Sequence, residues 1–264
     1  MKKILKEVIP PFVLKPITGL FYGWSGNYSS WKEASEKSTG YDTQIIIKKV
    51  KDALLKVKTG QAVYERDSVI FDKVHYSFPL LSALSLVALR NKGNLNVLDF
   101  GGSLGSSYYQ NQNFFTDTEQ FNWCVVEQPH FVKEGQETFA DKHLHFFYDI
   151  ETCLKQYKVD MLLLSSVIQY LENPLSFLDE VIGKKIEYIM IDRTPLLLKG
   201  DDRITIQKVP KNIYEAKYPC RILNESKLLE HILKHYDLVF DEQTEESINI
   251  KNAVFKAFLF KRKK

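Results

Sequence analysis

Three cysteines in 264 residues, Cys124, Cys153 and Cys220, with no Cys-x-x-Cys pair, rule out a disulfide framework and a thiolate metal site. Apolar runs are also short. None approaches the roughly twenty residues that a transmembrane helix needs. At the N-terminus Lys2 and Lys3 precede Ile4 and Leu5, but Lys6, Glu7, Pro10 and Pro11 break any signal-peptide core, so a cytoplasmic protein is expected. Charge of one sign is scarce, with 36 Lys and Arg against 33 Asp and Glu and a net of +3. A nucleic-acid partner is therefore not expected. The one basic cluster, Lys261-Arg262-Lys263-Lys264, offers at most a peripheral contact with anionic lipid. Metal chemistry lacks support too. His143 and His145 are alternate residues, and His231 with His235 lacks the adjacent glutamate of a metalloprotease helix. No Gly-x-Ser-x-Gly elbow is present, which disfavours a hydrolase. The composition is otherwise that of a globular chain, with 44% apolar and 26% charged residues, and somewhat rich in aromatics at 13%.

The chain opens on an aromatic, turn-rich segment over residues 1–40. Phe12, Phe21, Tyr22, Trp24, Tyr28 and Trp31 alternate there with prolines, glycines and serines, so no single regular element fits. An irregular layer is expected, its rings packed over the domain or lining a substrate pocket. Asp42 or Thr43 then caps a helix whose Ile46, Val50, Ala53, Leu54 and Val57 recur at helical spacing until Gly60. Residues 61–77 read as a polar and aromatic link, and Pro79 opens a second helix.

From Asn96 strand and helix alternate. Strands are expected at 96–100, 121–127, 145–149, 161–166 and 187–192, and 237–240 and 253–260 close the series. That is an α/β chain with a doubly wound, mostly parallel seven-stranded sheet. It carries an N-terminal helical or irregular extension over 1–93, taken as a substrate cap. A cofactor-binding domain over 94–264 holds an insertion at about 194–222, where few periodic signals occur.

The stretch Leu98-Asp-Phe-Gly-Gly-Ser-Leu-Gly105 runs an apolar strand into a glycine-rich turn, the place where open α/β sheets bind ligands. A dinucleotide fingerprint would need glycine where Phe100 stands. The alternative spacing, acidic-x-Gly-x-small-x-Gly, is met by Asp99, Gly101, Ser103 and Gly105. Here the sequence resembles the class I, Rossmann-like methyltransferases that bind S-adenosylmethionine, from about Leu95 to Phe260. The resemblance implies that Asp99, Gly101, Gly102, Ser103 and Gly105 cradle the methionine part of the cofactor. It also implies that Glu127, with Gln128, takes the ribose hydroxyls. Tyr148 and Asp149 fall where adenine is usually met, and Ser165 and Ser166 where cofactor and substrate meet. Ser103 departs from the glycine found in many members.

More narrowly, four blocks resemble a family of inferred methyltransferases among bacterial genes for surface polysaccharide synthesis. They are Gly26-Asn-Tyr-Ser-Ser-Trp-Lys-Glu-Ala34, Val63-Tyr-Glu-Arg-Asp67, the glycine turn, and Pro210-Lys-Asn-Ile-Tyr214 with Tyr218-Pro219. The implied activity is methyl transfer, to oxygen, on a small-molecule sugar, nucleotide-sugar or glycan acceptor. A hydroxyl acceptor needs a base, for which His75, Asp67 and Asp192 are candidates. Arg66, Arg193 and Arg203 could clamp a phosphate or carboxylate. Tyr28, Gln169, Tyr214 and Tyr218 complete the expected acceptor surface. The alternatives are a non-catalytic scaffold that keeps the cofactor fold, or a nucleotide-sugar-binding protein of a polysaccharide-assembly complex.

Overall fold

The computed structural model describes residues 23–38, 44–116, 118, 120–210 and 216–264. Tyr214, the Asp42 or Thr43 cap and the first aromatics of the N-terminal segment lie outside the described residues. The architecture is a mixed α/β sheet of mostly parallel strands with helices on both faces. Its strands are β1 (Gly23–Tyr28), β4 (Leu95–Phe100), β5 (Phe121–Val126), β6 (Leu144–Phe147), β7 (Met161–Ser165), β8 (Tyr188–Leu197), β9 (Arg203–Lys208), β10 (Lys217–Asn224), β11 (Tyr236–Gln243) and β12 (Ala253–Arg262). A separate two-stranded hairpin is formed by β2 (Tyr64–Arg66) and β3 (Val69–Phe71).

The parallel part runs β6-β5-β4-β7-β8, and the antiparallel β12 joins β8 to β11 on the far side. Alternate residues on each strand feed opposite cores, as a sheet covered on both faces requires. Val97, Trp123, Val125, Met161 and Leu163 enter one core, together with α2 (Gln44–Lys58), α3 (Phe78–Arg90), α4 (Ser106–Asn111) and α5 (Pro129–Thr138). Leu98, Cys124, Val126, Leu162 and Leu164 enter the other, with α6 (Ile150–Gln156), α7 (Pro174–Gly183) and α8 (Glu225–Ile232). All three cysteines are buried and free. Among the described residues, no helix is long and apolar enough to cross a membrane. In the basic tail, Lys261 lies 3.6 Å from Glu187 and Lys263 Nζ donates to the Leu233 carbonyl.

The sheet holds ten strands rather than seven, and the three extra ones come from segments that read as irregular. In the insertion, Ile204 and Ile206 alternate with Thr205 to form β9, which pairs antiparallel with β10. Pro219 hides β10 from a sequence reading. It is tolerated because the other side of β10 pairs with β8 only at Leu223 and Asn224. The N-terminal segment supplies β1, which pairs antiparallel with β9, followed by α1 (Trp31–Glu36) capped by Ser30. The link at 61–77 likewise contains the β2–β3 hairpin, turned through Asp67 and Ser68 at φ 52° and 66°.

The extension meets the parallel sheet on a single strand. β8 pairs with β7 through Asp192, and its last residues, Leu196 and Leu197, pair with β10. β12 follows β8 on the opposite side across the whole junction. Between Ile191 and Thr194, β8 carries one residue more than β12 does between Phe258 and Lys256, which is a β-bulge. Arg193 sits in that bulge at φ 47°.

Candidate functional site

A cleft of about 950 Å³ opens at the carboxyl ends of β4, β5 and β7 and extends under β9, β10 and β12. Its floor is the glycine turn. Asp99 closes β4, buried, with Trp123 Nε1 donating to its Oδ2 at 2.9 Å. Burial raises the Asp99 carboxyl to about 7, against the Trp123 hydrogen bond that favours its charge. Gly102 passes so close that a Cβ there would lie 2.5 Å from the Asp99 carboxylate, so only a bare backbone fits. At Gly101, with φ 72°, a Cβ would meet Val167 at 2.5 Å. Ser103 sits between them and Gly105 at φ 55°, in the left-handed region, so the serine follows the path that glycine would favour.

Glu127 lies one strand over, just past the end of β5. Burial pushes its carboxyl up, while backbone hydrogen bonds from Gln128 and Ser103 pull it down. The bond from Ser103 ties the two strand ends together. Gln128 and Tyr148 also line the cleft, and Tyr148 is 55% exposed. Ser165, Ser166 and Val167 form the wall beyond β7.

The arginine in the bulge faces this wall. Arg193 Nε donates to Ser165 Oγ at 3.3 Å and lies 3.7 Å from Asp192 Oδ2. Burial works against its charge, but Asp67, Asp192, Glu246 and Tyr64 outweigh it and raise its affinity for the proton. Arg66 also lines the cleft and lies 3.4 Å from Glu246.

The remaining expected residues are distributed unevenly. Asp67 and Tyr218 line the cleft. Asp192 is fully buried behind it, with Oδ1 accepting from Ser77 Oγ at 2.9 Å and Oδ2 from Ser165 Oγ at 3.1 Å. Burial raises its carboxyl despite Arg193. Ser77 also caps α3, so one hydroxyl serves both a helix end and a carboxylate. Gly105 lies outside the cleft wall and packs against Leu144.

Five further expected residues are not brought to the cleft. Asp149 caps α6, accepting from Thr152 N at 2.7 Å and Thr152 Oγ1 at 2.9 Å, which lowers its carboxyl. His75 packs its ring against Phe71 at 5.3 Å, and its carbonyl accepts from Gln110. Tyr28 packs with Ile204 and Ile206, with Lys37 Nζ 4.9 Å from its ring centre. Arg203 Nε donates to the Gly26 carbonyl at 2.9 Å. Gln169 is buried and donates to Ser166 Oγ at 2.9 Å.

Two groups of residues entered the site without being expected. Glu65 on β2 is buried yet lines the cleft, with Ser106 Oγ donating to its Oε1 and Ser68 N to its Oε2 at 3.1 Å. Burial raises it to about 7. The only sequence signal was its place inside the Val63–Asp67 block. The second group, Tyr170 and Phe255, completes an aromatic wall with the expected Tyr218 and with Trp24, one of the N-terminal rings read as packing over the domain or lining a pocket, and Tyr170 Oη donates to Gln207 Oε1 at 2.5 Å. Trp24 meets Phe255 edge-on at 5.7 Å, and Tyr170 meets Tyr218 at 6.0 Å. Among the described residues no cluster of histidine, cysteine, aspartate or glutamate could hold a metal ion.

The mixed α/β fold that carries this cleft is shared with solved structures. The N-terminal domain of EvdMO1, solved in the presence of SAH (S-adenosylhomocysteine) and D-fucose, shares that fold with a TM-score of 0.50 and 10% identity. The match covers 81% of this chain and 97% of that one. The same domain with SAH bound matches at 0.50 and 9% identity, over the same shares. At this identity the likeness is one of fold. Neither a scan against protein-family models nor a search of curated sequences gives a match.

Proposed function

We propose that the chain is an S-adenosylmethionine-dependent methyltransferase acting on the hydroxyl of a sugar, nucleotide-sugar or glycan acceptor, in the cytoplasm and in surface polysaccharide synthesis. The observation that carries the reading is the glycine turn between Asp99 and Glu127, with no room for a Cβ at Gly101 or Gly102. A ligand lying on that turn meets bare backbone, and a carboxylate at the next strand end can accept from two vicinal hydroxyls. Desolvated carboxyls in one cleft also favour a cationic ligand, which this cofactor is. When bound, the cofactor supplies a methyl group on a positively charged sulfur.

The chain's own residues then bind, orient and handle a proton. Glu127 and the turn fix the cofactor. The aromatic wall suits the apolar faces of a sugar ring, with Gln207 among the rings for its hydroxyls. Arg66 and Arg193 stand where an acidic group on the acceptor would lie. Of the three expected bases, Asp67 alone lines the cleft, and the acceptor proton is assigned to its carboxylate. His75 is packed on Phe71, and both Asp192 oxygens are engaged by serines.

Calorimetry with SAH tests the first half of the proposal. Binding by the parent that is weakened in Asp99→Ala and Glu127→Ala is expected, and three indistinguishable proteins with no binding would end the reading. The second half is tested with methyl-labelled cofactor and an extract of nucleotide sugars and glycans. The labelled species, identified by mass spectrometry, is expected to be a methylated sugar.

A further inference from the structure

Two carboxyls hydrogen-bond to the glycine turn and the residue just after it. Glu127 is tied to the Ser103 amide, within the turn. Glu65 accepts from Ser106, the residue that follows Gly105. Both line the same cleft, and Asp99 lies against Gly102 of the same turn. Glu65 reaches this place from outside the sheet, on the β2–β3 hairpin.

We propose that Glu65 receives the α-ammonium group of the cofactor's amino-acid end. The inference rests on the methyltransferase reading above. If Glu127 takes the ribose hydroxyls, an elongated ligand on the turn has its other end at Ser106 and Glu65. Glu65 is suited to a cation there. It is 1% exposed, and a hydroxyl and an amide are its hydrogen-bond donors. Among the described residues no lysine or arginine forms an ion pair with it. The charged groups that act on it are Asp67 on its own hairpin and Arg193 from β8, and Arg193 is the weakest of the named influences. Burial leaves its proton affinity near neutrality, which an arriving ammonium would lower.

The test is a cycle of two ligands and two proteins, read by calorimetry. In the parent, SAH is expected to bind about tenfold or more tightly than the analogue lacking the α-amino group, as a charge-assisted hydrogen bond provides. In Glu65→Gln that ratio is expected to fall to near one, with the analogue bound as in the parent. Near pH 7, SAH binding by the parent is also expected to release protons, seen by comparing buffers of different ionisation heat. Glu65→Gln is expected to lose that release. A parent that does not discriminate between the two ligands overturns the proposal by itself, even if the variant does not fold. So does a Glu65→Gln that weakens both ligands equally. A parent that binds neither ligand removes the methyltransferase reading instead, and the proposal with it.

Discussion

The two walls of the cleft are built on opposite plans. The parallel wall, from β4, β5 and β7, presents backbone, serines and carboxyls, and its parts come from strand ends in chain order. The antiparallel wall presents rings drawn from β1, β10, β12 and the turn after β7. One wall is fixed by where glycines and acids fall beside strands. The other depends on pairing between segments nearly 200 residues apart, as between Trp24 and Gln207. The first plan suits an invariant ligand and the second a variable acceptor.

Breaking the parallel wall is expected to have the largest effect. Gly102→Val places side-chain atoms against the Asp99 carboxylate, and a loss of SAH binding in calorimetry is expected, with about 1–3 kcal/mol of overpacking cost in urea unfolding. Glu127→Ala is milder, weakening SAH by about tenfold or more while leaving the fold intact by circular dichroism. The opposite wall is expected to respond differently. Trp24→Ala should leave SAH affinity unchanged and lower kcat/KM for the sugar acceptor by about three- to tenfold. Such a split is the sharpest check on the two-wall division.

Two buried carboxyls of the cleft, Asp99 of the parallel wall and Glu65 of the β2–β3 hairpin, also predict how stability depends on pH. Asp99 and Glu65 are raised from 3.8 and 4.5 to about 7, so the folded protein binds more protons than the unfolded chain between those limits. Their contribution is full below about pH 4 and is lost as pH rises through about 7. Thermal melts of the ligand-free protein from pH 5.5 to 8 should show this as a falling Tm. Asp99→Asn and Glu65→Gln should each flatten the decline. The smallest expected change is Ser103→Gly. It removes the left-handed strain of a serine at φ 55° but adds chain entropy, for a net gain of about 0.5 kcal/mol in urea unfolding.

The contrast also explains what the sequence disclosed. Asp99, the glycine turn and Glu127 were legible because each lies within a few residues of an apolar strand end. The sheet alternation around them was legible for the same reason. Asp149 misled, since an acid after a strand is equally a helix cap when Thr152 follows three residues on. His75 misled because residue type favoured it as a base, whereas packing against Phe71 decided its place. The antiparallel wall was illegible for two reasons. Pro219 masks β10, and β1 gains its strand conformation only by pairing with β9. Glu65 was hidden because burial of a carboxyl in a short hairpin leaves no periodic trace.

β8 belongs to both walls, and β12 splints it from Tyr188 to Leu197. Held by β12 on both sides of its bulge, the strand joins the two plans on one shared spine. The spacing between the two walls is then a dimension set by the sheet itself, like the jaw of a gauge. On the methyltransferase reading proposed above, acceptors would be sorted by whether their thickness matches that gap. The bulge at Arg193 is the notch where the gauge turns from one wall into the other.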